Sequence, residues 1–581
     1  MKNINYYLKF AIIIFAVCFF NIQNQGYSQD KAAEIGELLS LYNEYEIFNG
    51  TALVAENGEV IFKKGYGLAN MDWNILNEQD TKFRIGSITK QFVAMLIMQL
   101  VEEGKIDLNG KLTDYLPEYR EDTGDKITIH HLLTHTSGIT SYTNLPGVWL
   151  DSLKNHYTQE EMIKLLHSSD LEFEPGTEFN YNNTGYYLLG AIVERIYDKP
   201  VGEVLQEKIF KPLGMTNTGV DRENIILEKR ATGYVPGAYV YEINPYIYMP
   251  NVMGAGDMYS TVEDLYKWDR ALHTEKLLSE KYKTIMFTPF LNDYAYGWGV
   301  YKVQGKDTDS TTVTSHTGGI NGFTTIIFRM VDENNLVVIF NNTGSTQLRK
   351  MTEGIVSILH DLPYEKPKRS FANTLRENIN ENGIDFAIEK YNTSKETIRE
   401  EFDVEELEIN ALGYFYLGKD KIREAIDVFK INIEEFPESF NVYDSMGEAY
   451  MKNGDNELAI KHYKKSLEIN PQNTNGIEML KRLGVEIDEP DEIKLTNDVL
   501  KQYAGKYKFS PDFYITITLE GDQIFEQATG QQKFEIFPTS DTEFFLKVVD
   551  AKIKFDKSED GNVTGFTLFQ NLMSMPFEKV E

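Results

Sequence analysis

Residues 86–104 read Gly-Ser-Ile-Thr-Lys-Gln-Phe-Val-Ala-Met-Leu-Ile-Met-Gln-Leu-Val-Glu-Glu-Gly. Between Ile88 and Val101 apolar side chains fall on nearly every face of a helix, which predicts a helix buried at the centre of a domain and ending before Gly104. Ser87 and Lys90 stand three apart at its N-terminal end, on one helical face, so the amine can reach the hydroxyl. A serine hydroxyl is a poor nucleophile until a neighbouring base takes its proton. The helix N-terminus adds a positive dipole and free N–H groups where an oxyanion would form. Ser-x-x-Lys is common by chance, however. Taken alone, these two residues are more often a surface cap with a solvated lysine.

The surrounding stretch, residues 30–361, mixes strands, helices and glycine-rich turns. Thr51–Ala55 and Val60–Phe62 flank Asn57-Gly58, a hairpin signal, and Thr324–Arg329 and Leu336–Phe340 read as sheet strands. A mixed α/β domain of this size buries a substantial core. Two further motifs lie within it. Tyr181-Asn-Asn183 stands just before an apolar helix, and His316-Thr-Gly318 opens Ser-His-Thr-Gly-Gly-Ile-Asn-Gly-Phe, leading into a strand. In isolation Tyr181 would be a packed aromatic and His316 a satisfied strand histidine.

The order Ser-x-x-Lys, Tyr-x-Asn, His-Thr-Gly resembles that of the penicillin-recognising serine hydrolases. The resemblance is to the class C β-lactamase, D,D-peptidase and esterase branch, and it spans about 330 residues. His131-Leu-Leu-Thr-His-Thr-Ser-Gly138 and Gly254-Ala-Gly-Asp-Met-Tyr-Ser-Thr261 are similar to the text around the motifs in that branch. The resemblance implies that Ser87 is acylated and that Lys90 and Tyr181 share the proton shuttling. It further implies that Asn183 orients Lys90 and the substrate amide. His316, Thr317, Gly318 and Gly319 would bind substrate, and the N–H groups of Ser87 and Gly319 would form an oxyanion hole, with Gly319 permitting close approach. His316 stands where many β-lactamases carry lysine. A histidine is only partly charged near neutral pH and holds a carboxylate less firmly, so β-lactamase activity should be weak or absent. His130, His131 and His135 suggest a metal site at first sight, but in the family this segment is structural, and neither metal nor organic cofactor is expected. Trp298, in Tyr296-Gly-Trp-Gly299, is as well suited to the core as to a substrate cleft.

The remaining sequence divides by composition. The full chain has 581 residues, 42% hydrophobic and 25% charged, with a mean hydropathy of -0.37 and a formal net charge of -31. Such acidity repels phosphate backbones and argues against nucleic acid as a partner. Residues 1–28 carry Lys2, Lys9 and an apolar run from Phe10 to Phe20, the pattern of a signal peptide too short to span a bilayer, so the mature chain is expected to start at Gln29 and to be exported to the periplasm or medium. Val17 and Phe19 beside Cys18, the one cysteine, argue against lipoprotein anchoring there. A linker over 362–371 follows the first domain. Across 372–485, Leu412-Gly413, Tyr416, Ala425, Phe429 and Pro437 recur 34 residues later as Met446-Gly447, Tyr450, Ala459, Tyr463 and Pro471, the tetratricopeptide period. Two such repeats are too few to stand alone, so 372–401 is expected to serve as an atypical first unit, and the repeats offer a surface for a protein or peptide partner. Residues 495–581 alternate in hydropathy around turns at Gly521-Asp522 and Asp560-Gly561, which fits a small antiparallel barrel or sandwich. Its opening, Leu500-Lys-Gln-Tyr-Ala-Gly-Lys-Tyr507, resembles lipocalin-like modules appended to bacterial serine hydrolases.

The sequence thus predicts an exported serine hydrolase acting on D-amino-acid peptides, peptidoglycan stem peptides, or small amides and esters. Two alternatives stand beside it: a true class C-like β-lactamase, and a non-catalytic sensor using the hydrolase fold and the helical repeats.

Overall fold

The computed structural model describes residues 30–145, 147–236, 241–306, 308–344, 346–487, 494–510, 513–528, 532–546, 551–558, 560–570 and 573–580. The signal-peptide reading of residues 1–28, with Cys18, lies outside them. Two compact units meet between Pro367 and Lys368.

In the first unit the hydrophobic runs become an antiparallel sheet of six strands: β1 (Gly50–Glu56), β2 (Glu59–Tyr66), β3 (Gly299–Val303), β4 (Thr311–Ile320), β5 (Phe323–Met330) and β6 (Asn335–Asn341), in the order β3-β4-β5-β6-β1-β2. Asn57 and Gly58 both have positive φ, 52° and 86°, and turn β1 into β2. Strand β1 pairs with β6 from Gly50↔Asn341 to Ala55↔Leu336, tying the start of the unit to its end. Both strands are buried on both faces. Leu53 and Ala55 of β1, with Leu336, Val338 and Phe340 of β6, enter one core; Ala52 and Val54, with Val337 and Ile339, enter the other. The second core is covered by a helix over 30–44 and by α5 (Leu348–Leu359), which brings Met351, Ile355 and Ile358 against the sheet.

The first core is larger and is centred on α2 (Thr89–Glu102), the stretch quoted above. Every residue from Thr89 to Leu100 is buried. At about 2 kcal/mol for each fully buried Leu, Ile, Met or Phe, this helix anchors the lobe. Around it lie α3 (Asn183–Tyr197), whose buried face runs from Thr184 to Val193, and α4 (Val262–Leu272), whose Trp268 stacks on Phe92 at 4.4 Å between ring centroids. Trp298 is fully buried against Phe287 and Arg329, so of its two readings the core is the one realised.

The second unit opens with helices Phe371–Asn382 and Ile384–Ser394, then two helix pairs: α6 (Glu406–Gly418) with α7 (Ile422–Glu435), and α8 (Phe440–Lys452) with α9 (Asn456–Ile469). The repeat fixes how each pair meets. A Cβ on Gly413 would lie 2.2 Å from the Phe429 ring and one on Gly447 2.9 Å from the Tyr463 ring, so the small residue of one helix receives the aromatic of the next. The earlier helices join this stack through Tyr416 Oη, which donates to Asn380 Oδ1 at 3.3 Å, and Tyr391 Oη, which donates to Glu435 Oε1 at 2.8 Å.

The C-terminal segment is a closed barrel of eight antiparallel strands, which resolves the choice between barrel and sandwich. Strand Gly505–Ser510 closes on strand Met573–Lys579 through Tyr507↔Lys579 and Lys508↔Glu578. Tyr503 and Tyr507, from the opening motif, sit in its core on Phe555, and Tyr507 Oη donates to the Tyr503 carbonyl at 2.7 Å. Among the described residues no helix is long and apolar enough to cross a membrane.

Gly413→Ala should strain its helix pair by about 1–3 kcal/mol and lower amide-exchange protection across 406–452, leaving that of 50–341 unchanged. Gly418→Ala, where a Cβ meets nothing within 4 Å, should not lower it.

Candidate active site

The nucleophile candidate sits on a tight 3₁₀ turn, Gly86–Ile88, that feeds α2. That turn lies directly on β4. Gly86 has φ 51°, and a Cβ there would be 2.8 Å from Gly319 N; a Cβ on Gly318 would be 1.9 Å from the Ile85 carbonyl oxygen. Thr325 Oγ1, from β5, donates to that same carbonyl at 2.9 Å. Two glycines therefore let the backbone of Ser87 come beside that of Gly319, the pair of N–H groups expected to form an oxyanion hole. Around Gly319 itself a Cβ would meet nothing within 4 Å. Its exposed face leaves the position open to a ligand, while the steric demand falls on Gly318. His316, Thr317, Gly318 and Gly319 all lie within β4, so the motif is part of a strand as well as leading, through Asn321-Gly322, into the next one.

Lys90, one turn further on, is fully buried, which removes the solvated-cap alternative. Its Nζ lies 3.0 Å from Ser87 Oγ, 2.8 Å from Asn183 Oδ1 and 2.8 Å from the Ala255 carbonyl oxygen. Two of these partners can only accept. The amine donates to both, and at 3.0 Å from Ser87 Oγ it is placed so that, once unprotonated, its lone pair can take the serine proton. No carboxylate among the described residues pairs with Lys90, and burial holds its pKa well below the ordinary lysine value. The amine is thereby poised as a base.

Asn183 is the first residue of α3; its Nδ2 donates to Thr143 Oγ1 at 3.0 Å and its backbone N–H to Ser141 Oγ at 3.1 Å, which fixes the amide that meets Lys90. Asn182 caps the helix, accepting from Gly185 N–H at 2.9 Å. Tyr181 stands with its ring 4.9 Å from Lys90 Nζ and 4.3 Å from the His135 ring. Burial raises its hydroxyl above the usual phenol value, and a hydrogen bond with Ser87 works the other way. Serine, amine and phenol thus form one cluster.

His316 is held at both nitrogens. Nδ1 lies 2.5 Å from the Thr317 carbonyl oxygen, which can only accept, so Nδ1 carries the proton. Nε2, 3.0 Å from Tyr294 Oη, then accepts from that hydroxyl. Burial and the facing Lys90 lower the imidazole to about 4, so the ring is neutral at pH 7 rather than partly charged. His135 adopts a left-handed backbone, φ 59°, and accepts at Nδ1 from Asn182 N–H at 3.0 Å. It is a positioning residue behind Tyr181. His130 and His131 are used elsewhere: His130 Nδ1 meets Tyr296 Oη at 2.8 Å, and His131 Nδ1 accepts from Thr128 N–H at 3.2 Å. Among the described residues no cluster of three or more His, Cys, Asp or Glu is placed to hold a metal ion.

Three participants escaped the sequence reading. Ala255 acts through its carbonyl, which no motif letter reveals, although it lies in the Gly254–Thr261 segment. Tyr294 and Tyr186 are two of 35 tyrosines, and only the fold shows that they line the pocket around His135 and His316.

A serine with a buried amine and a phenol, beside a glycine-lined strand, places a nucleophile candidate next to groups that can move its proton. Residues 32–358 match the β-lactamase family, residues 445–473 the tetratricopeptide repeat, and residues 489–580 a domain of unknown function, DUF3471. The chain is 29% identical over 363 residues to penicillin-binding protein 4* of Bacillus subtilis, covering 59% of this chain and 79% of that protein. It is 31% identical over 335 residues to PbpX of the same organism, covering 57% and 80% respectively. The crystal structure of a penicillin-binding protein from Bacillus halodurans superposes with a TM-score of 0.50 at 30% identity, covering 55% of this chain and 98% of that one. The chain belongs to the β-lactamase family of penicillin-binding-like serine hydrolases.

Gly318→Ala should push Ile85 and the Ser87 turn off β4. Labelling of Ser87 by a fluorophosphonate should fall at least tenfold, and the melting temperature of the first unit should drop. Gly319→Ala, which meets open space, should leave the melting temperature unchanged.

Proposed function

We propose that this protein is an exported hydrolase of ester and amide bonds that works through an acyl-enzyme on Ser87 and cleaves β-lactams weakly or not at all. The observation that carries this reading is the fully buried Lys90, without a carboxylate partner and 3.0 Å from Ser87 Oγ. Lys90 takes the Ser87 proton as Oγ attacks the substrate carbonyl carbon. The oxyanion that forms is met by the N–H groups of Ser87 and Gly319. Tyr181 passes a proton to the departing amine or alcohol as the acyl bond to it breaks and then receives one from the water that cleaves the acyl-serine, while Lys90 returns the proton it took to the departing Ser87 Oγ. Asn183 holds Lys90 and the substrate amide, and no cofactor enters these steps. Export rests on the signal-like character of residues 1–28.

His316 narrows the substrate. A neutral imidazole with both nitrogens engaged offers no fixed cation for a carboxylate. Among D-amino-acid peptides, stem peptides and small esters or amides, it favours those whose group at this position is uncharged. The same feature disfavours β-lactams, whose recognition leans on their carboxylate.

Wild type and Ser87→Ala should be treated with a fluorophosphonate and a fluorescent penicillin, then offered short esters, D-amino-acid amides and D-Ala-D-Ala peptides. Fluorophosphonate labelling and ester or amide turnover are expected in wild type alone. Labelling that survives Ser87→Ala, or efficient cephalosporin hydrolysis, would overturn the proposal. Lys90→Arg places a permanently protonated group there that cannot accept the serine proton, so labelling should fall at least a hundredfold. For the wild type the labelling rate should climb as pH rises through the depressed Lys90 pKa and then level off, because only the neutral amine accepts the serine proton. His316→Lys should raise kcat/KM for carboxylate-bearing substrates about tenfold relative to their methyl esters.

A further inference from the structure

Among its described residues the C-terminal barrel has an interior of apolar side chains with one charged exception. Burial alternates along the strand Gln523–Ala528, so that Ile524, Glu526 and Ala528 point inward. Glu526 is 6% exposed. Its ladder neighbours are Ile517 on one side and Phe534 on the other. Among the described residues no side chain or backbone group hydrogen-bonds or pairs with its carboxyl. Three outward-facing acids of the same barrel have partners: Glu543 meets Lys552 at 2.9 Å, Glu520 meets Lys533 at 2.5 Å, and Glu535 accepts from Gln523 Nε2 at 2.9 Å.

A carboxyl taken from water without a partner costs on the order of 1–3 kcal/mol even when protonated, and more when charged. A leucine at this position would avoid that cost. Burial lifts the carboxyl to about 7, which leaves it balanced between its neutral and charged forms at physiological pH. An incoming cation would tip it to the carboxylate and satisfy both partners at once. A neutral donor would supply a single hydrogen bond. An eight-stranded barrel is wide enough inside for side chains or for one small ligand. Tyr507, Phe555, Phe566 and Phe577 fill much of this interior, whereas the residues nearest Glu526 on its own strand are Ile524 and the small Ala528.

We propose that the barrel interior is a binding site for a small apolar amine, its ammonium group paired with the Glu526 carboxylate and its hydrocarbon body lying among Ile517, Ile524 and Phe534. The site is separate from the hydrolytic centre and does not depend on the reaction proposed for it.

Calorimetric titration of the full-length Ser87→Ala protein with hexylamine, hexanol and hexanoate tests this. Hexylamine should bind at least tenfold more tightly than either of the others, and its affinity should rise between pH 6 and pH 8 as the carboxyl ionises. Glu526→Gln, of the same shape, should remove both the preference and the pH dependence. Glu526→Leu should remove them while raising the melting temperature of the barrel, which separates loss of a ligand group from loss of fold. Equal binding of amine and alcohol, tighter binding of hexanoate, no binding of hexylamine, or a preference that persists in Glu526→Gln would each overturn the proposal.

Discussion

An ammonium group transferred from water to a protein interior loses several kcal/mol of hydration unless charge or hydrogen bonds replace it. Lys90 meets that constraint without any carboxylate, using Asn183 Oδ1, the Ala255 carbonyl and Ser87 Oγ. Each of those partners comes from a different part of the chain. Asn183 opens α3, Ala255 follows a glycine that turns the backbone at φ 68° for Gly254, and Ser87 rides on the turn held by β4. The packing of α2, α3 and the 254–261 segment can therefore be viewed as the means of keeping one amine dry and partnered. What the lobe obtains in return is an amine whose lowered pKa favours the unprotonated form, held 3.0 Å from the Ser87 hydroxyl.

Much of this was legible in the sequence because the chemistry sits in side chains at fixed spacings. Ser87 and Lys90 share a helix, and three ordered motifs brought Tyr181, Asn183 and His316 to the same place. The buried central helix, the Asn57-Gly58 hairpin and the 34-residue repeat were readable because each is a local pattern of burial or turn chemistry. The sequence did not disclose contacts made through backbone or by common residues far away in the chain: the Ala255 carbonyl, Tyr294 on His316, and His135 behind Tyr181. Nor did it disclose the steric demand on Gly318, which comes from the Ile85 carbonyl, 233 residues earlier. The charge of His316 followed the same rule. A histidine in a string of letters is half-protonated near pH 6.5, and only its burial beside Lys90 makes it neutral.

The second unit shows two different ways of using aromatic residues. In the helical repeats Phe429 and Tyr463 fit against glycine backbone, so close approach of helices is what they secure. In the barrel Tyr503, Tyr507, Phe544, Phe555, Phe566 and Phe577 meet one another, ring to ring, and furnish the core that a small all-β unit otherwise lacks. Glu526 stands out against that background because nothing in the packing requires it.

The pairing of β1 with β6 has a consequence in time. Strand β1 has no partner on its β6 side until residues 335–341 exist, and Ser87 has no Gly319 beside it until 232 further residues have been added. At about 5–20 residues per second of synthesis, the nucleophile waits on the order of ten to fifty seconds for the other half of its site. Throughout that interval the chain holds a serine and a lysine but no enclosed pocket in which the lysine can be dry. The cluster around Ser87 is therefore complete only when the sheet closes, after most of the first unit has been synthesised.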